Sequence, residues 1–349
     1  MCGGVGSRFW PFSRKEMPKQ FQDFFGSGKT LLQSTLERVS PVVPPENVLI
    51  LTNKDYYNIV RSQVPEIKEE NILLEPERRN TAPCLCWAAH HVLARDPEAS
   101  MVVLPSDHLI LKEDEFHRAL KTGFDFVEKG NRLLTLGIRP TSPHTGYGYI
   151  QRGEPTDVDK ILKVKSFTEK PEEKMAEIFV KSGEFFWNAG IFLWRADSLL
   201  KAFRECAPRV AAAFEDGDYS AAGEKEFIEK RFPTAPSISI DYAVMEQAPE
   251  VYVETVDLGW SDLGSWKALY EVSPRNADGN VTQNCRLLAT DCQNSLFAVK
   301  GNKIIVADGL KDYIIADSDK ALLIFPVSKE QKLRHIVNEV KERFGEEFI

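Results

Sequence analysis

Short apolar runs alternate with amphipathic stretches over the first 140 residues of the chain. The runs are Val48–Thr52, Ile72–Leu74, Met101–Leu104 and Leu133–Ile138. The stretches between them are predicted to be helices, at Tyr56–Val64, Ala82–Arg95 and Glu115–Lys129. Such alternation is typical of a sheet covered by helices on both faces. We therefore predict an α/β fold built on a Rossmann-like, doubly wound mixed sheet.

The pattern changes near residue 280. Four short β-rich segments follow, at Leu296–Val299, Lys303–Val306, Tyr313–Ala316 and Ala321–Phe325. Glycines and Asp-rich turns separate them, as in the rungs of a small β-solenoid or in a β-sandwich. The final stretch, Lys329–Phe344, is predicted to be an amphipathic helix suited to docking or dimer contact. We predict a main domain over residues 1–275 and a β-rich domain, ending in a helix, over 280–349.

The composition is that of a soluble globular protein, with 43% hydrophobic and 28% charged residues among 349. The net charge of −8 argues against a nucleic-acid partner. No apolar run approaches the roughly 18 residues that would span a bilayer. Six cysteines without a framework spacing fit reduced thiols. We expect a cytoplasmic protein with neither a membrane nor a nucleic-acid partner.

A glycine-rich loop opens the chain at Gly3-Gly4-Val5-Gly6-Ser7-Arg8. Glycines let backbone N–H groups approach phosphate oxygens, and Arg8 and Lys19 supply positive charge. The loop is not a dinucleotide fingerprint, because Phe9 occupies the position of the last glycine. Gly26-Ser27-Gly28-Lys29-Thr30 is not a P-loop, because the leading glycine would fall on Asp23. The loop predicts a nucleotide-binding enzyme.

Only Met1 and Cys2 precede the glycines, whereas a phosphate loop of this kind normally follows a strand. Two explanations are open: the native chain carries a strand ahead of Met1, or the protein does without its central strand. We favour the first. A doubly wound sheet without its innermost strand would leave buried backbone groups unpaired.

Two strand ends carry polar clusters. After Leu74 comes the run 75–83, in which Glu75, Arg79 and Asn80 could read the edge of a nucleobase, with Thr81 as a helix cap. After Leu104 comes Asp107, a carboxylate suited to Mg²⁺ beside phosphate. The alternative for Asp107 is a turn or helix cap.

The middle of the chain contains glycines beside Asn, Glu or Lys, a combination that suits a sugar. Four clusters have this character: 145–149, 167–171, 187–190 and 259–266. Each alone could be a turn. Cys84 and Cys86 are interpreted as core residues because no partner pair follows at zinc-site spacing. His90 and His91, about 100° apart around a helix, are interpreted as surface or helix-face residues.

Eight segments occur in the order found in the sugar-phosphate nucleotidyltransferase family. They are GGVGSRFWPFSRKEMPKQF, EPERRNTAP, PSDH, TGYGYI, FTEKP, WNAGIF, DYAVME and GWSDLGSW. The resemblance covers nearly the whole chain and is strongest to the mannose-1-phosphate guanylyltransferases. The chain departs from the family in lacking the opening strand and in having Cys2 where alanine is usual.

The resemblance implies roles for individual residues. Nucleotide phosphates would lie on Gly3, Gly4, Gly6, Ser7 and Arg8, and the guanine and ribose on Glu75, Arg79, Asn80 and Thr81. Mannose would lie on Gly146, Tyr147, Glu169, Asn188 and Gly190. Lys19 would bridge the α-phosphate and the leaving pyrophosphate, and Lys170 would meet the sugar phosphate. Mg²⁺ would be held by Asp107 and Asp262.

The implied substrates are GTP and mannose 1-phosphate, and the β-rich tail resembles a left-handed β-helix, often a packing or dimer surface. A homodimer is therefore expected. Two alternatives are open. One is a related transferase that uses another nucleotide or hexose phosphate, and the other is a non-catalytic regulatory protein that binds GDP-mannose. The second alternative is less consistent with the sequence because Arg8, Lys19, Asp107 and Asp262 are all present.

Overall fold

The computed structural model describes residues 1–4 and 6–349 of the chain. The described strands are β1 (Ile50–Asn53), β2 (Ile72–Glu75), β3 (Ser100–Val103), β4 (Leu133–Ile138), β5 (Tyr149–Pro155), β6 (Ile161–Thr168), β7 (Phe185–Arg195), β8 (Val251–Val256), β9 (Val281–Thr290), β10 (Leu296–Asp308), β11 (Tyr313–Asp317) and β12 (Leu322–Pro326). The described α-helices are α1 (Leu31–Val39), α2 (Tyr57–Gln63), α3 (Thr81–Leu93), α4 (Glu113–Val127), α5 (Glu173–Ser182), α6 (Ala196–Cys206), α7 (Pro208–Phe214), α8 (Glu224–Arg231), α9 (Trp266–Val272) and α10 (Leu333–Phe344).

The main sheet has six strands in the order β3-β7-β4-β8-β6-β5. It is mixed, because β4 and β8 are parallel while β7 is antiparallel to β3, β4 and β5. The predicted mixed α/β sheet is confirmed. The long strand β7 lies between β3 and β4, so these two strands, which follow one another in sequence, are not neighbours in the sheet. Strands β1 and β2 form a separate parallel pair.

The first two residues lie between the β1–β2 pair and β3. The backbone N–H of Cys2 donates to Leu51 O at 2.8 Å, and the N-terminal amine donates to Leu104 O at 2.8 Å. A cavity of about 540 Å³ extends from these residues along β1 and β3. The expectation of a strand ahead of Met1 stays a prediction.

Helix α3 is buried on most of its surface and packs beside α6 and α7. Cys84 and Cys86 are both buried in this core, which confirms their interpretation. His91 lies on a helix face, but the interpretation of it as a surface residue is wrong, because the residue is 4% exposed and its Nδ1 lies 2.8 Å from the carboxylate of Glu224. Glu224 also accepts a hydrogen bond from the indole of Trp87 at 2.7 Å. His91 and Glu224 are 133 positions apart, so no local sequence pattern predicts their contact.

The C-terminal strands form a four-stranded sheet in the order β12-β11-β10-β9. Three successive strands, β9, β10 and β11, are parallel, as the rungs of a β-helix would be. The two segments predicted on either side of Gly301 are one strand with an irregularity, because Gly301 takes a left-handed φ of 82° and lets the strand continue. Among residues 1–4 and 6–349, no helix has the length and apolar character needed to cross a membrane.

The C-terminal unit shares a core with the loop that opens the chain. Phe9, Phe12 and Trp266 form edge-to-face aromatic pairs with ring centroids 5.0 and 5.1 Å apart. The same buried cluster includes Ile314 and Leu333 of the C-terminal unit. This packing connects the end of the glycine loop, through Phe9, to the C-terminal unit. The predicted domain boundary near residues 275–280 stays a prediction.

Glu254 on β8 makes the stability of the protein depend on pH. Its side chain is 4% exposed, and its Oε2 has no hydrogen-bond partner among the described residues. Burial raises the pKa of its carboxyl from 4.5 to about 8, with Lys160 partly opposing. The folded protein therefore keeps a proton that the unfolded chain has already lost. The free energy of unfolding falls as pH rises through this window, by at most about 1.4 kcal/mol per pH unit.

We expect Glu254→Gln to remove this dependence, because an amide has no proton to lose. Urea unfolding should show the variant and the unmodified protein similar at about pH 5. At about pH 8.5 the variant should be more stable by up to about 4 kcal/mol. An equal stability difference at both pH values would contradict the account of Glu254.

Candidate active site

Lys19 lies at the centre of a cluster of charged groups. Its Nζ contacts Asp107 Oδ2 at 3.0 Å and the backbone carbonyl of Asp262 at 2.5 Å. The lysine side chain is only 5% exposed, whereas that of Asp107 is 31% exposed. The carboxylate therefore opens toward solvent while the lysine supports it from inside. The structure brings together three of the residues to which the sequence assigned chemistry.

Two loops meet because their backbones pair. Leu109 and Ser261 form an antiparallel bridge, with N–H to carbonyl distances of 2.9 and 3.1 Å. The bridge holds Asp107, two residues before Leu109, close to Asp262, one residue after Ser261. Burial alone would raise the pKa of Asp107, but the charges of Lys19 and His108 lower it overall. Asp107 is therefore ionised at neutral pH.

Asp262 is held by two donors on one of its oxygens. Tyr147 donates its hydroxyl to Asp262 Oδ1 at 2.8 Å, and the backbone N–H of Gly264 donates to the same atom at 2.9 Å. Burial and the carboxylate of Asp262 raise the pKa of Tyr147, so the phenol keeps its proton and remains a donor. Tyr147 packs edge-on against Trp187 and Trp260. The hydrogen bond from Tyr147 to Asp262 joins the predicted metal-binding carboxylate to the predicted sugar-binding loop.

The two aspartates suit a magnesium ion by their donor chemistry. Mg²⁺ takes one or two protein carboxylates and fills its octahedron with water and phosphate oxygens. The hydrogen bonds described above leave Asp107 Oδ1 and Asp262 Oδ2 for a ligand. No group of three or more His, Cys, Asp and Glu side chains suited to an ion occurs in the described part of the chain. The pair Asp107 and Asp262 therefore fits Mg²⁺ bound jointly with substrate phosphate.

The glycine loop lies open beside this cluster. Gly3, Gly4, Ser7 and Arg8 are exposed, and Val5 lies outside the described residues. Gly6 has a left-handed φ of 71°, and a Cβ there would be 2.5 Å from Lys19 Cβ. The loop can approach Lys19 this closely only because residue 6 is glycine. Burial lowers the pKa of His144, with a smaller contribution from the charge of Arg8, and the same charge partly opposes the rise in the pKa of Tyr147.

The predicted sugar residues form a second group around Gly148. A Cβ on Gly148 would be 2.5 Å from Glu169 Oε2 and 3.4 Å from Asn188 Cβ. The Glu169 side chain is 9% exposed and pairs with Lys170, whose side chain is 58% exposed. Gly190 has a φ of 67° and faces Pro105, in the loop that carries Asp107. The sugar group thus borders the charged cluster.

Gly146 lies at the edge of the sugar group, next to Tyr147 in the chain. Its backbone N–H donates to His144 Nδ1 at 3.1 Å. The His144 ring in turn stacks on Tyr147, with ring centroids 3.9 Å apart. Gly146 therefore helps to fix the loop from which Tyr147 reaches Asp262.

The predicted nucleobase residues follow β2. Asn80, not Thr81, is the N-cap of α3, and its side chain accepts from the backbone N–H of Thr81 at 2.9 Å. The expectation that Thr81 caps the helix is wrong. Its hydroxyl instead accepts from the backbone N–H of Ile240 at 2.8 Å. Arg79 contacts Glu77 at 2.8 Å, and Glu75 is buried at the end of β2, where burial raises its pKa.

Asp241 is a residue to which the sequence interpretation assigned no role. It belongs to the DYAVME segment, which the sequence identifies only as part of the family pattern. Its Oδ1 accepts from Asn188 Nδ2 at 2.9 Å. The two residues are 53 positions apart. Only the position of the DYAVME segment within the series of motifs could have drawn attention to Asp241.

Comparisons with known proteins agree with this geometry. A family model for nucleotidyl transferases matches residues 1–279. A mannose-1-phosphate guanylyltransferase of Escherichia coli K12 is 36% identical over 351 residues, covering 98% of this chain and 72% of the relative. One from Salmonella typhimurium is 37% identical over 352 residues, covering 98% and 72%.

A solved structure shows the same fold. It is described as a mannose-1-phosphate geranyltransferase from Thermus thermophilus. The two proteins are 31% identical and superpose with a TM-score of 0.88 over 98% of each chain. The resemblance found in the sequence is confirmed. The chain belongs to the nucleotidyl transferase family and, within it, to the mannose-1-phosphate guanylyltransferases.

Proposed function

We propose that this enzyme transfers GMP from GTP to α-D-mannose 1-phosphate, giving GDP-mannose and pyrophosphate with Mg²⁺. The observation that carries the proposal is the contact of Lys19 with both aspartate loops beneath an open glycine loop. The names of the similar guanylyltransferases support the substrate assignment.

The chemistry needs charge neutralisation more than proton transfer. A phosphate oxygen of mannose 1-phosphate is already an anion at neutral pH and can attack the α-phosphorus of GTP in line without a general base. The two substrates nevertheless repel each other. Two unit charges about 4 Å apart repel by about 4 kcal/mol at an effective dielectric constant of about 20. Placing cations between the substrates would lower this barrier and fix the angle of attack.

Each cationic residue has a position suited to one part of that task. Lys19 is buried and fixed by two contacts, so it would stabilise charge on the α-phosphate and the leaving pyrophosphate. Lys170 extends from the sugar group into solvent and would meet the sugar phosphate. Arg8 lies on the exposed loop beside Tyr147. When bound by Asp107 and Asp262, Mg²⁺ would neutralise and orient phosphate oxygens.

The homodimer implied by the resemblance also stays a prediction. Leu288, Ile304 and Val306 are exposed on the neighbouring strands β9 and β10. We infer that this face is where such a contact would form.

An assay of nucleotide and sugar preference tests the proposed reaction. The purified protein is incubated with Mg²⁺ and mannose 1-phosphate, with GTP, ATP, UTP or dTTP in parallel, and pyrophosphate and nucleotide sugar are quantified. We expect GTP to be preferred and GDP-mannose to appear in equal amount to pyrophosphate. Glucose 1-phosphate with GTP serves as the sugar control. Preference for a pyrimidine nucleotide, or nucleotide binding without pyrophosphate, would refute the proposal.

Gly6→Ala tests whether the close approach of the glycine loop to Lys19 holds the lysine in place. The new Cβ would collide with Lys19 Cβ, so we expect pyrophosphate release to fall at least about tenfold through misplacement of the lysine. Gly28→Ala is the matched control, because Gly28 has a similar φ of 78° but open space around its Cβ position. Both variants carry the cost of left-handed backbone, and equal activity losses in the two would contradict a specific role for the approach of Gly6 to Lys19.

A further inference from the structure

The DYAVME segment lies between the predicted nucleobase and sugar groups. It forms a short π-helix over Asp241–Met245. The residue before it, Ile240, donates its backbone N–H to Thr81 Oγ1, and the N–H of Ala82 donates to Ile238 O at 3.1 Å. The segment is thus fastened to the start of α3 on one side. On its other side, Asp241 reaches Asn188 of β7.

The side-chain amide of Asn188 has only one orientation that satisfies its neighbours. Its Oδ1 accepts from the hydroxyl of Thr135 at 3.0 Å and from the backbone N–H of Gly190 at 3.1 Å. Its Nδ2 donates to Asp241 Oδ1 at 2.9 Å. A backbone N–H can only donate and an ionised carboxylate can only accept, so rotation of the amide by about 180° would break contacts at both ends.

One polar group of this amide is left for a ligand. Asn188 Nδ2 carries two hydrogens, and the second makes no hydrogen bond with any described residue. Two neighbours of Asn188 are glycines without side chains: Gly148 lies near its Cβ, and Gly190 donates to its Oδ1. The carboxylate of Glu169 lies across Gly148. Asn188 is partly exposed, so a fixed donor is accessible near a carboxylate acceptor, a combination that matches neighbouring hydroxyls on a sugar ring.

We propose that Asp241 is a positioning residue that determines hexose selectivity by fixing the amide of Asn188 against the sugar. The inference rests on the proposed function and assigns this segment a part in it. Burial and the neighbouring Glu169 raise the pKa of Asp241 to about 6, so its carboxyl is mainly ionised at about pH 7.5 and accepts from Asn188. Loss of this acceptor would leave the amide held only at its Oδ1 end and would weaken its preference for one arrangement of hydroxyls.

The test compares Asp241→Ala with Asp241→Asn and with Tyr242→Ala. We expect Asp241→Ala to raise KM for mannose 1-phosphate at least about tenfold with KM for GTP changed less than about twofold. Its preference for mannose over glucose 1-phosphate, measured as the ratio of kcat/KM values, should fall at least about fivefold. Asp241→Asn keeps an oxygen for Asn188 and should recover most of the preference. Tyr242 is the next residue and is 46% exposed, so its variant should behave as the unmodified protein.

A second variant keeps the test decisive if Asp241→Ala does not fold. Thr135 is fully buried and holds the opposite end of the amide, so Thr135→Val should also reduce sugar selectivity without changing KM for GTP. Equal effects on both KM values, or an unchanged preference in a folded Asp241→Ala protein, would overturn the inference while leaving the proposed function intact. An unmodified protein that transfers GMP to no hexose 1-phosphate would overturn both.

Discussion

Lys19→Met lowers the rate of pyrophosphate release by about a hundredfold or more, on the scale seen when one fixed donor to a developing charge is removed. Methionine keeps the length and apolar stem of the side chain while removing the ammonium that contacts Asp107 and the Asp262 carbonyl. We expect the loss in kcat, with KM for GTP changed much less, because the charge on the leaving pyrophosphate develops in the transition state. Steady-state kinetics measures both.

Two controls separate this effect from a general loss of charge or of structure. Lys29→Ala removes an exposed lysine that pairs with Glu37 on the surface, and it should leave the rate unchanged. Thermal unfolding of Lys19→Met should remain cooperative and within a few degrees of the unmodified protein. A folded Lys19→Met protein with near-full turnover would remove Lys19 from the proposed catalytic role.

Asp107→Asn and Asp262→Asn are expected to have the second largest effect, a loss of activity at ordinary Mg²⁺ concentrations of about a hundredfold each. Both substitutions keep the shape of the side chain but replace a charged ligand by a neutral amide, which binds Mg²⁺ more weakly. Part of the loss should be recovered at high Mg²⁺. The measurement is the dependence of pyrophosphate release on Mg²⁺ concentration in each variant.

Asp257→Asn is the matched control for these carboxylates. Asp257 lies on the loop after β8, five residues before Asp262, but its side chain is 80% exposed and pairs with Lys112. Its variant should show the same Mg²⁺ dependence as the unmodified protein. A similar curve for all three variants would show that the two proposed metal ligands do not bind the ion.

The sequence predicted those parts of the fold that depend on local pattern. The apolar run Leu133–Ile138 is the strand β4 with the same bounds, and all six of its residues are buried. Strand order could not be predicted in the same way. The position of β7 between β3 and β4 depends on pairing between segments that are far apart in the chain.

The residues of the candidate site differ in the same way, because some follow from local sequence pattern and others depend on distant pairing. Asp107 could be found from its place at the end of a strand, and Lys19 from its place beside the glycine loop. Their contact with the Asp262 loop depends on the bridge between Leu109 and Ser261, which no local sequence pattern predicts. Asp262 was predicted only from the family resemblance. The order of the family's motifs carries information about tertiary structure that hydrophobic periodicity does not.

The hardest residues to predict are those whose side chains contact a partner far away in sequence. The burial of His91 could not be predicted because its acceptor, Glu224, lies on another helix. Asp241 received no role because its contact with Asn188 appears only when β7 and the π-helix are brought together. In both cases the side chain has a polar partner far away in sequence, and the sequence pattern around it gives no sign of that partner.

A crystal structure of the protein with GDP-mannose and Mg²⁺ tests the central claim most directly. We predict that one ion contacts the carboxylates of Asp107 and Asp262 together with a phosphate oxygen, and that Lys19 lies against the α-phosphate below the glycine loop. The mannose ring should contact Asn188. A nucleotide sugar bound elsewhere, with Lys19 and the two aspartates touching neither phosphate nor metal, would contradict the account.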